Sequence, residues 1–370
     1  MDQDIRVGIT QGDINGVGYE VILKAIGEDE ITELFTPVIF GVPEIAEKAK
    51  AQFGLGSLRF NIINDASSAQ PGKINLVRLD HVPALQAGVV SKEAGKSAVE
   101  SLEKAVKALK SGDIDVLVTA PISKEAVQSE KFDFPGHTEF LTQRIGEGRE
   151  AMMILCDENL RVALLTVHVP VTKISEGITK EKIEEAAEIF SKTLTQDFGI
   201  VRPRIAVLSL NPHAGDGGLI GEEEETIIKP ALEALMDKGI LAFGPYPADG
   251  FFGHGSYKKF DGVLAMYHDQ GLAPFKSLAH SGGVNFSANL PYVRTSPDHG
   301  TAFDIAWKGE ASPKSMRDAI YMAIDIYRRR KTFKEASSNP LKKHVHERLE
   351  RIERHERNND KNPVNKETDD

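Results

Sequence analysis

Short runs of β-branched and other apolar residues alternate along the chain with longer segments whose apolar residues recur at helical spacing. Several of the short runs are apolar almost from end to end, as strands buried between two helical layers are. The predicted strands are Ile5–Thr10, Pro37–Val42, Ile74–Leu79, Ile114–Ala120, Ala151–Cys156, Arg161–Val167, Arg204–Leu210 and Gly262–Tyr267. The predicted helices are Ser91–Lys110, Thr179–Asp197, Glu222–Lys238 and Pro313–Arg330. This alternation predicts an α/β fold.

Composition and charge exclude several classes of protein. Hydrophobic residues make up 41% of the 370, which is typical of a globular chain, and a single cysteine excludes a disulfide framework. The net charge is −10, which argues against a nucleic-acid partner. We expect no membrane span, because no apolar stretch approaches about 18 residues. With no signal-peptide pattern at the N-terminus, we expect a cytoplasmic protein.

The C-terminal segment differs from the body. From Arg328 onward there are 13 Lys and Arg residues against 9 Asp and Glu, so an acidic body carries a basic tail. His344–Arg357 is compatible with a charged helix, and Asn358–Asp370 with disorder. We interpret this tail as a solvated extension.

Two loops carry candidate anion-binding groups. The first, Ile9-Thr-Gln-Gly12-Asp-Ile-Asn-Gly16-Val-Gly18, is a glycine-rich turn between a strand and a helix. It is either a tight turn or a ligand loop. In the second, Phe134-Pro-Gly-His137-Thr138 places an imidazole and a hydroxyl at a helix start, which suits a phosphate or carboxylate.

Three histidines each follow a predicted strand. They are His168, His213 and His268. Ligands bind α/β folds at the carboxyl ends of the strands, and neutral imidazoles suit Zn²⁺, Fe²⁺, Co²⁺ or Ni²⁺. The set therefore predicts a catalytic metal site, with Asp249 and Asp269 as further ligands or as hydrogen-bond partners of the histidines.

Two cations and an amide follow His268 in the chain. Lys276, Asn285 and Arg294 lie among apolar neighbours, where a cation needs an anion to offset its desolvation. They predict a clamp for a phosphorylated acid. The segment from Asp298 to Ala306 reads as a loop.

Together these segments resemble the 4-hydroxythreonine-4-phosphate dehydrogenase family of pyridoxal phosphate biosynthesis. The most specific motifs are Phe134-Pro-Gly-His-Thr-Glu-Phe140, Asn211-Pro-His-Ala-Gly215, Gly244-Pro-Tyr-Pro-Ala-Asp249, Tyr267-His-Asp-Gln-Gly271 and Arg294-Thr-Ser-Pro-Asp-His-Gly-Thr-Ala302. The first loop departs from the family pattern at Gln11, Ile14, Asn15 and Tyr19, which puts local cofactor contacts in doubt.

The resemblance implies an isocitrate/isopropylmalate dehydrogenase-like fold and a homodimer that shares its active site. We expect residues 1–130 with 291–330, and residues 131–290, to form two α/β domains, with 331–370 as a partly disordered extension. The implied metal ligands are His168, His213 and His268, for zinc, magnesium or cobalt. The implied substrate contacts are His137, Thr138, Lys276, Asn285 and Arg294. Candidate NAD or NADP contacts are Gly12, Gly16, His299, Gly300, Thr301 and Ala302.

The implied reaction oxidises 4-phosphooxy-L-threonine, and the product loses CO₂ to give 3-amino-2-oxopropyl phosphate. Lys124, Asp249 and Asp269 are candidate general bases. Three alternatives stay open: a D-threonate or D-erythronate 4-phosphate dehydrogenase, a phosphate acyltransferase, and a non-enzymatic metal-binding protein. The sequence does not decide the metal, NAD against NADP, the substrate among these or the role of the tail.

Overall fold

The computed structural model describes residues 4–27, 31–128, 132–134, 136–279 and 282–339. Its strands are β1 Arg6–Thr10, β2 Thr36–Gly41, β3 Phe60–Ile63, β4 Ile74–Arg78, β5 Val116–Thr119, β6 Met152–Cys156, β7 Arg161–Leu164, β8 Arg204–Leu208, β9 Leu241–Tyr246, β10 Gly262–Ala265, β11 Val284–Ala288 and β12 Arg294–Pro297. Its helices are α1 Gly18–Ala25, α2 Ile31–Leu34, α3 Pro43–Gln52, α4 Lys92–Ser111, α5 Lys124–Val127, α6 His137–Ile145, α7 Lys180–Gln196, α8 Lys229–Asp237, α9 Ala248–Gly253, α10 His268–Leu278 and α11 Lys314–Ser338.

All these strands belong to one 12-stranded sheet, in the order β3-β4-β2-β1-β5-β12-β11-β6-β7-β10-β8-β9. The strands from β3 to β12 in this order are parallel, and so are those from β7 to β9. Between them, β11 pairs antiparallel with both β12 and β6, and β6 pairs antiparallel with β7. Two parallel halves therefore meet at β12, β11 and β6 in the middle of the sheet.

The sequence predictions of strands are confirmed at all eight positions, with ends shifted by a few residues. Four strands were not predicted, namely β3, β9, β11 and β12. The β12 segment, Arg294-Thr-Ser-Pro, has proline as its single apolar side chain, yet all four residues are buried. Its place in the sheet comes from pairing with β5 and β11, which a local hydrophobic pattern does not report.

The predicted helices are also confirmed, with two corrections. The segment predicted as Glu222–Lys238 begins as a π-helical turn over Glu224–Ile228 and continues as α8. The last helix was predicted to end at Arg330, but α11 continues to Ser338. α4 begins as expected, since Ser91 Oγ accepts a hydrogen bond from the N–H of Ala94, and it ends at Gly112 in the left-handed region.

Contacts within the chain define two compact units, Met1–Arg330 and Lys331–Asp370. The first holds the sheet and its buried core, in which Cys156 is buried as a core residue. The described part of the second consists of residues 331–339. The predicted tail helix His344–Arg357 and the predicted disorder after it lie outside the described residues.

The α/β prediction is confirmed by this architecture. The division of residues 1–330 into two domains stays a prediction. Among the residues described, no helix is both long and apolar enough to cross a bilayer.

Candidate active site

A cavity of about 450 Å³ lies against the middle of the sheet. Side chains at alternate positions share one face of a strand, and Met153 and Leu155 of β6, Asn285 of β11 and Arg294 of β12 all line it. The loop after β5 and the first turn of α6 supply further walls. The predicted site residues that line the cavity are Lys124, His137, Thr138, His168, His268, Lys276, Asn285, Arg294, His299 and Gly300.

Arg294 is a buried cation that faces this cavity. Its side chain is among the largest that are fully buried, with 1% of the residue exposed. Two hydrogen bonds go to neutral hydroxyls, Ser287 Oγ at 3.0 Å and Thr119 Oγ1 at 2.6 Å, while Nε has no partner among the described residues. Burial lowers the pKa of Arg294 to about 10, and the carboxylate of Glu139 partly opposes this. The guanidinium is therefore still cationic at neutral pH and retains a donor for an anion.

His137 begins α6 after Gly136, whose extended backbone directs the chain into the helix. Its Nε2 is buried without a hydrogen-bond partner in the described chain. Burial, and then the positive charge of Arg294, lower the pKa of His137 well below its usual value. At neutral pH the imidazole is uncharged, so it offers a hydrogen bond to a ligand rather than a second positive charge. Thr138 follows it on the cavity wall.

Lys276 and Asn285 complete the predicted clamp. Lys276 is exposed on α10, and its Nζ lies 3.5 Å from the carbonyl oxygen of Asp298. Asn285 presents Oδ1, which is buried and has no donor among the residues described. The cavity thus combines cations with an unpaired acceptor, and a ligand that fits it carries both an anionic group and a hydrogen-bond donor.

His168 and His268 face each other, with 6.2 Å between ring centroids. Nδ1 of His168 lies 3.1 Å from Oε1 of Glu139, and Nδ1 of His268 lies 2.6 Å from Oδ1 of Asp269. A carboxylate can only accept, so each Nδ1 carries a proton, and in the neutral imidazole Nε2 then keeps its lone pair. This carboxylate–imidazole arrangement is typical of histidines that bind a metal, so the chemistry of both side chains fits a divalent cation.

His213 does not join this pair. It lies outside the cavity lining, exposed on the loop after β8, where His213 and the four residues that follow all have positive φ angles. Glu224 holds the start of the loop by accepting the N–H groups of Leu210 and Asn211. Accordingly, the described part of one chain contains no group of three His, Cys, Asp or Glu side chains that could hold a metal.

The candidate bases are in different places. Lys124 begins α5 and lines the cavity. Asp269 adjoins His268, with 86% of its side chain exposed. Asp249 is exposed on α9 and is not part of the cavity wall. Within one chain, therefore, Lys124 and Asp269 are near the cavity or its histidine pair, and Asp249 is not.

The candidate cofactor residues form a contact between two loops. A Cβ on Gly16 would lie 2.7 Å from the carbonyl oxygen of Thr301, and that oxygen accepts the N–H of Val17. Gly12, with φ of 68°, packs as closely on the backbone after β5. Ala302 also has a positive φ, of 44°. Gly12 and Gly16 are thus needed for close packing of the loops. Of the candidate cofactor residues, His299 and Gly300 line the cavity and the other four do not.

The departures from the family pattern are all buried, and the three polar ones form hydrogen bonds. Tyr19 Oη donates to Gln11 Oε1 at 2.7 Å, and Gln11 Nε2 donates to Ser97 Oγ at 2.8 Å. Asn15 Nδ2 donates to the carbonyl oxygen of Val89, also at 2.8 Å. Within this chain these residues therefore hold the glycine-rich loop in place.

Glu139 was missed as a site residue from the sequence. It lines the cavity, contacts His168 and lies close enough to Arg294 to influence its pKa. Glu139 directly follows His137 and Thr138 in the sequence motif, which could have drawn attention to it. A carboxylate in the first turn of a helix is, however, ordinarily explained by the helix dipole.

Comparison with known proteins places the whole chain. Residues 33–323 match the model of the pyridoxal phosphate biosynthetic protein PdxA. A 4-hydroxythreonine-4-phosphate dehydrogenase of Bacteroides thetaiotaomicron is 53% identical over 94% of this chain and 95% of its own length. A D-threonate 4-phosphate dehydrogenase of Pectobacterium atrosepticum is 37% identical over 86% of this chain and 98% of its own.

A solved structure supports the same assignment. The crystal structure of a 4-hydroxythreonine-4-phosphate dehydrogenase from Klebsiella pneumoniae superimposes with a TM-score of 0.75 and 34% identity, covering 88% of this chain and 98% of the other. The family model, the relatives and the fold agree with one another. The chain is therefore a member of the PdxA family of pyridoxal phosphate biosynthetic proteins.

Proposed function

We propose that this protein oxidises 4-phosphooxy-L-threonine with NAD⁺ or NADP⁺ and a divalent metal. The proposal rests on one cavity that is lined both by Arg294 and by the pair His168 and His268. Arg294 is a buried cation with a free donor, and each histidine contacts a carboxylate. The name of the relative at 53% identity supports the same reaction.

The anionic groups of the substrate bind at Arg294, Lys276 and the start of α6. Arg294 Nε and His137 Nε2 are buried and unpartnered in the described residues, so a bound oxyanion satisfies both. Asn285 Oδ1 needs a donor, which the amino or hydroxyl group of the substrate supplies. These contacts fix the substrate relative to the nicotinamide, which is a large part of what an enzyme contributes to hydride transfer.

His168 and His268 hold the metal within one chain, and we place His213 of a second copy as the third ligand. An exposed His213 on a loop outside its own cavity supports an arrangement in which two chains share the site. A metal bound there acts as a Lewis acid, which lowers the pKa of the substrate hydroxyl and favours loss of CO₂.

A bound nicotinamide would supply the acceptor for the hydride from C3 of the substrate, and a base of this chain would take the hydroxyl proton. The product is 2-amino-3-oxo-4-phosphooxybutanoate, which loses CO₂ to give 3-amino-2-oxopropyl phosphate. The candidate bases are Lys124, which lines the cavity, and Asp269, which contacts His268, and Asp249 is a third. The loop from His299 to Ala302, which packs against Gly16, is the proposed nicotinamide-cofactor contact, together with Gly12 of the glycine-rich loop.

D-threonate 4-phosphate is the second candidate substrate, because relatives with that name match most of the chain. It carries a hydroxyl in place of the amino group. The deciding experiment compares kcat/KM for both compounds with NAD⁺ and NADP⁺ in zinc, magnesium or cobalt. A preference for D-threonate 4-phosphate would overturn the primary assignment.

Two controls test the metal site separately. Removal of metal with a chelator should abolish reduction of the nicotinamide, and the added metal should restore it. His213→Ala should lose bound metal and keep its fold, whereas His254→Ala, on the exposed end of α9, should keep both. Undiminished activity of metal-free protein would refute the Lewis-acid role.

A further inference from the structure

Glu139 lies between the two halves of the cavity, the cationic half and the histidine pair. Its carboxylate has one oxygen in contact with His168 and another that is buried, and the side chain as a whole is 34% exposed.

The first oxygen determines the state of His168. Oε1 lies 3.1 Å from Nδ1, which favours a proton on Nδ1 and, in the neutral imidazole, leaves Nε2 as the nitrogen available to a metal. The two residues are 29 positions apart, on α6 and on the loop after β7. The orientation of His168 therefore depends on α6, whereas His268 is supported by the adjacent Asp269.

The second oxygen is not used by the fold. Oε2 is buried and, within the residues described, has no hydrogen-bond donor. A Cβ built on Gly136 would lie 3.4 Å from Oε2 and 3.8 Å from Cε of Lys124, so the carboxylate and this lysine approach the same point at the helix start. The carboxylate also opposes the effect of burial on the pKa of Arg294.

A capping role does not account for Glu139. The N-cap of α6 is Gly136, which has no side chain to take part in a capping box, and no side-chain cap is formed there. Favourable interaction with the helix dipole does not require a contact with His168. Neither effect explains why Oε1 contacts His168.

We propose that Glu139 is a positioning residue, which fixes the tautomer and the orientation of His168 so that Nε2 is directed to the metal. This inference rests on the proposed metal site. Partners of this kind typically change metal affinity by about 10–100-fold when they are removed.

The test compares Glu139→Leu and Glu139→Gln with a matched control, Glu125→Gln. Leucine keeps the volume and cannot accept a hydrogen bond, while glutamine keeps an acceptor and loses the charge. Glu125 is exposed on the neighbouring helix α5 and is not part of the cavity wall. Metal affinity is measured by calorimetric titration with Zn²⁺, and the ring proton of His168 by ¹⁵N NMR of the metal-free protein. Circular dichroism and thermal unfolding confirm that each variant is folded.

We expect Glu139→Leu to bind Zn²⁺ about 10–100-fold more weakly and to lose the Nδ1–H tautomer of His168. Glu139→Gln should keep the tautomer and show a smaller loss of affinity, and the control should match the unmodified protein. If a folded Glu139→Leu variant keeps both the tautomer and the affinity, the positioning role is refuted. If the unmodified protein binds no Zn²⁺ but holds the Nδ1–H tautomer only when Glu139 is present, the proposed metal site fails and the positioning of His168 stands.

Discussion

Replacing Arg294 with methionine separates the binding role of this residue from any role in stability. The substitution removes the charge and keeps a long, flexible side chain in the same buried place. In the native protein the guanidinium is 1% exposed, and its two hydrogen bonds go to Ser287 and Thr119, which are neutral. A buried cation that has no hydrogen-bonded carboxylate costs stability unless a ligand offsets its charge.

The size of the effect follows from the donors that the anion would use. A hydrogen bond to a charged group contributes about 1.5–3 kcal/mol, and Nε together with one terminal nitrogen of Arg294 can form two. Losing both removes about 3–6 kcal/mol of transition-state binding. At about 1.4 kcal/mol per factor of ten, kcat/KM for the phosphorylated substrate should fall by roughly 10²–10⁴.

The assay pairs steady-state kinetics with urea unfolding of the ligand-free protein. Arg294→Met should be at least as stable as the unmodified protein, because the desolvated charge is gone. Arg204→Met is the control, since Arg204 is 54% exposed, is paired with Asp261 and lies outside the cavity. Its kcat/KM should stay within about threefold, since surface ion pairs contribute little.

Two results would refute this reasoning. If Arg294→Met kept kcat/KM within about threefold, the guanidinium would not bind the anion. If the variant instead lost several kcal/mol of stability, Arg294 would be a structural residue whose two hydroxyl partners depend on it.

Three further predictions address the rest of the site. Because the pKa of His137 is lowered in the folded protein, the unfolded chain binds a proton at higher pH, and the free energy of unfolding should fall as the pH drops below about 6.5. By about pH 5.5, His137→Gln should avoid up to about 1.4 kcal/mol of that loss, as measured by urea unfolding at each pH. Glu20→Ala should lower the free energy of unfolding by about 2–4 kcal/mol, because this buried carboxylate accepts hydrogen bonds from the backbone N–H groups of Gly309 and Ala311. A loss below about 0.5 kcal/mol would contradict this expectation. Gly16→Ala places a Cβ 2.7 Å from the carbonyl oxygen of Thr301, so it should raise KM for the nicotinamide cofactor and lower the free energy of unfolding by about 1–3 kcal/mol. The control Gly253→Ala should be neutral, because nothing lies within 4 Å of the added Cβ. Equal effects of the two substitutions would show that the loop contact is unimportant.

The α/β class and most of the elements follow from the amino-acid sequence alone. Long amphipathic segments such as α4 and α7 are readable because their period is local, and so are apolar strands such as β1 and β2. Residues of the anion clamp, such as Arg294, were also identified, since a cation among apolar neighbours needs a partner wherever it lies.

Which of the candidate groups lie close together depends on the tertiary fold. Strand β12 has no apolar pattern, and its burial comes from pairing with β5 and β11, which are distant in sequence. Glu139 reaches His168 across 29 positions, while His213 stays outside the cavity on a loop with left-handed backbone. Residue type and spacing report which chemistry a chain can perform, but the distance between two groups depends on strand order and loop conformation, and these are set by long-range packing.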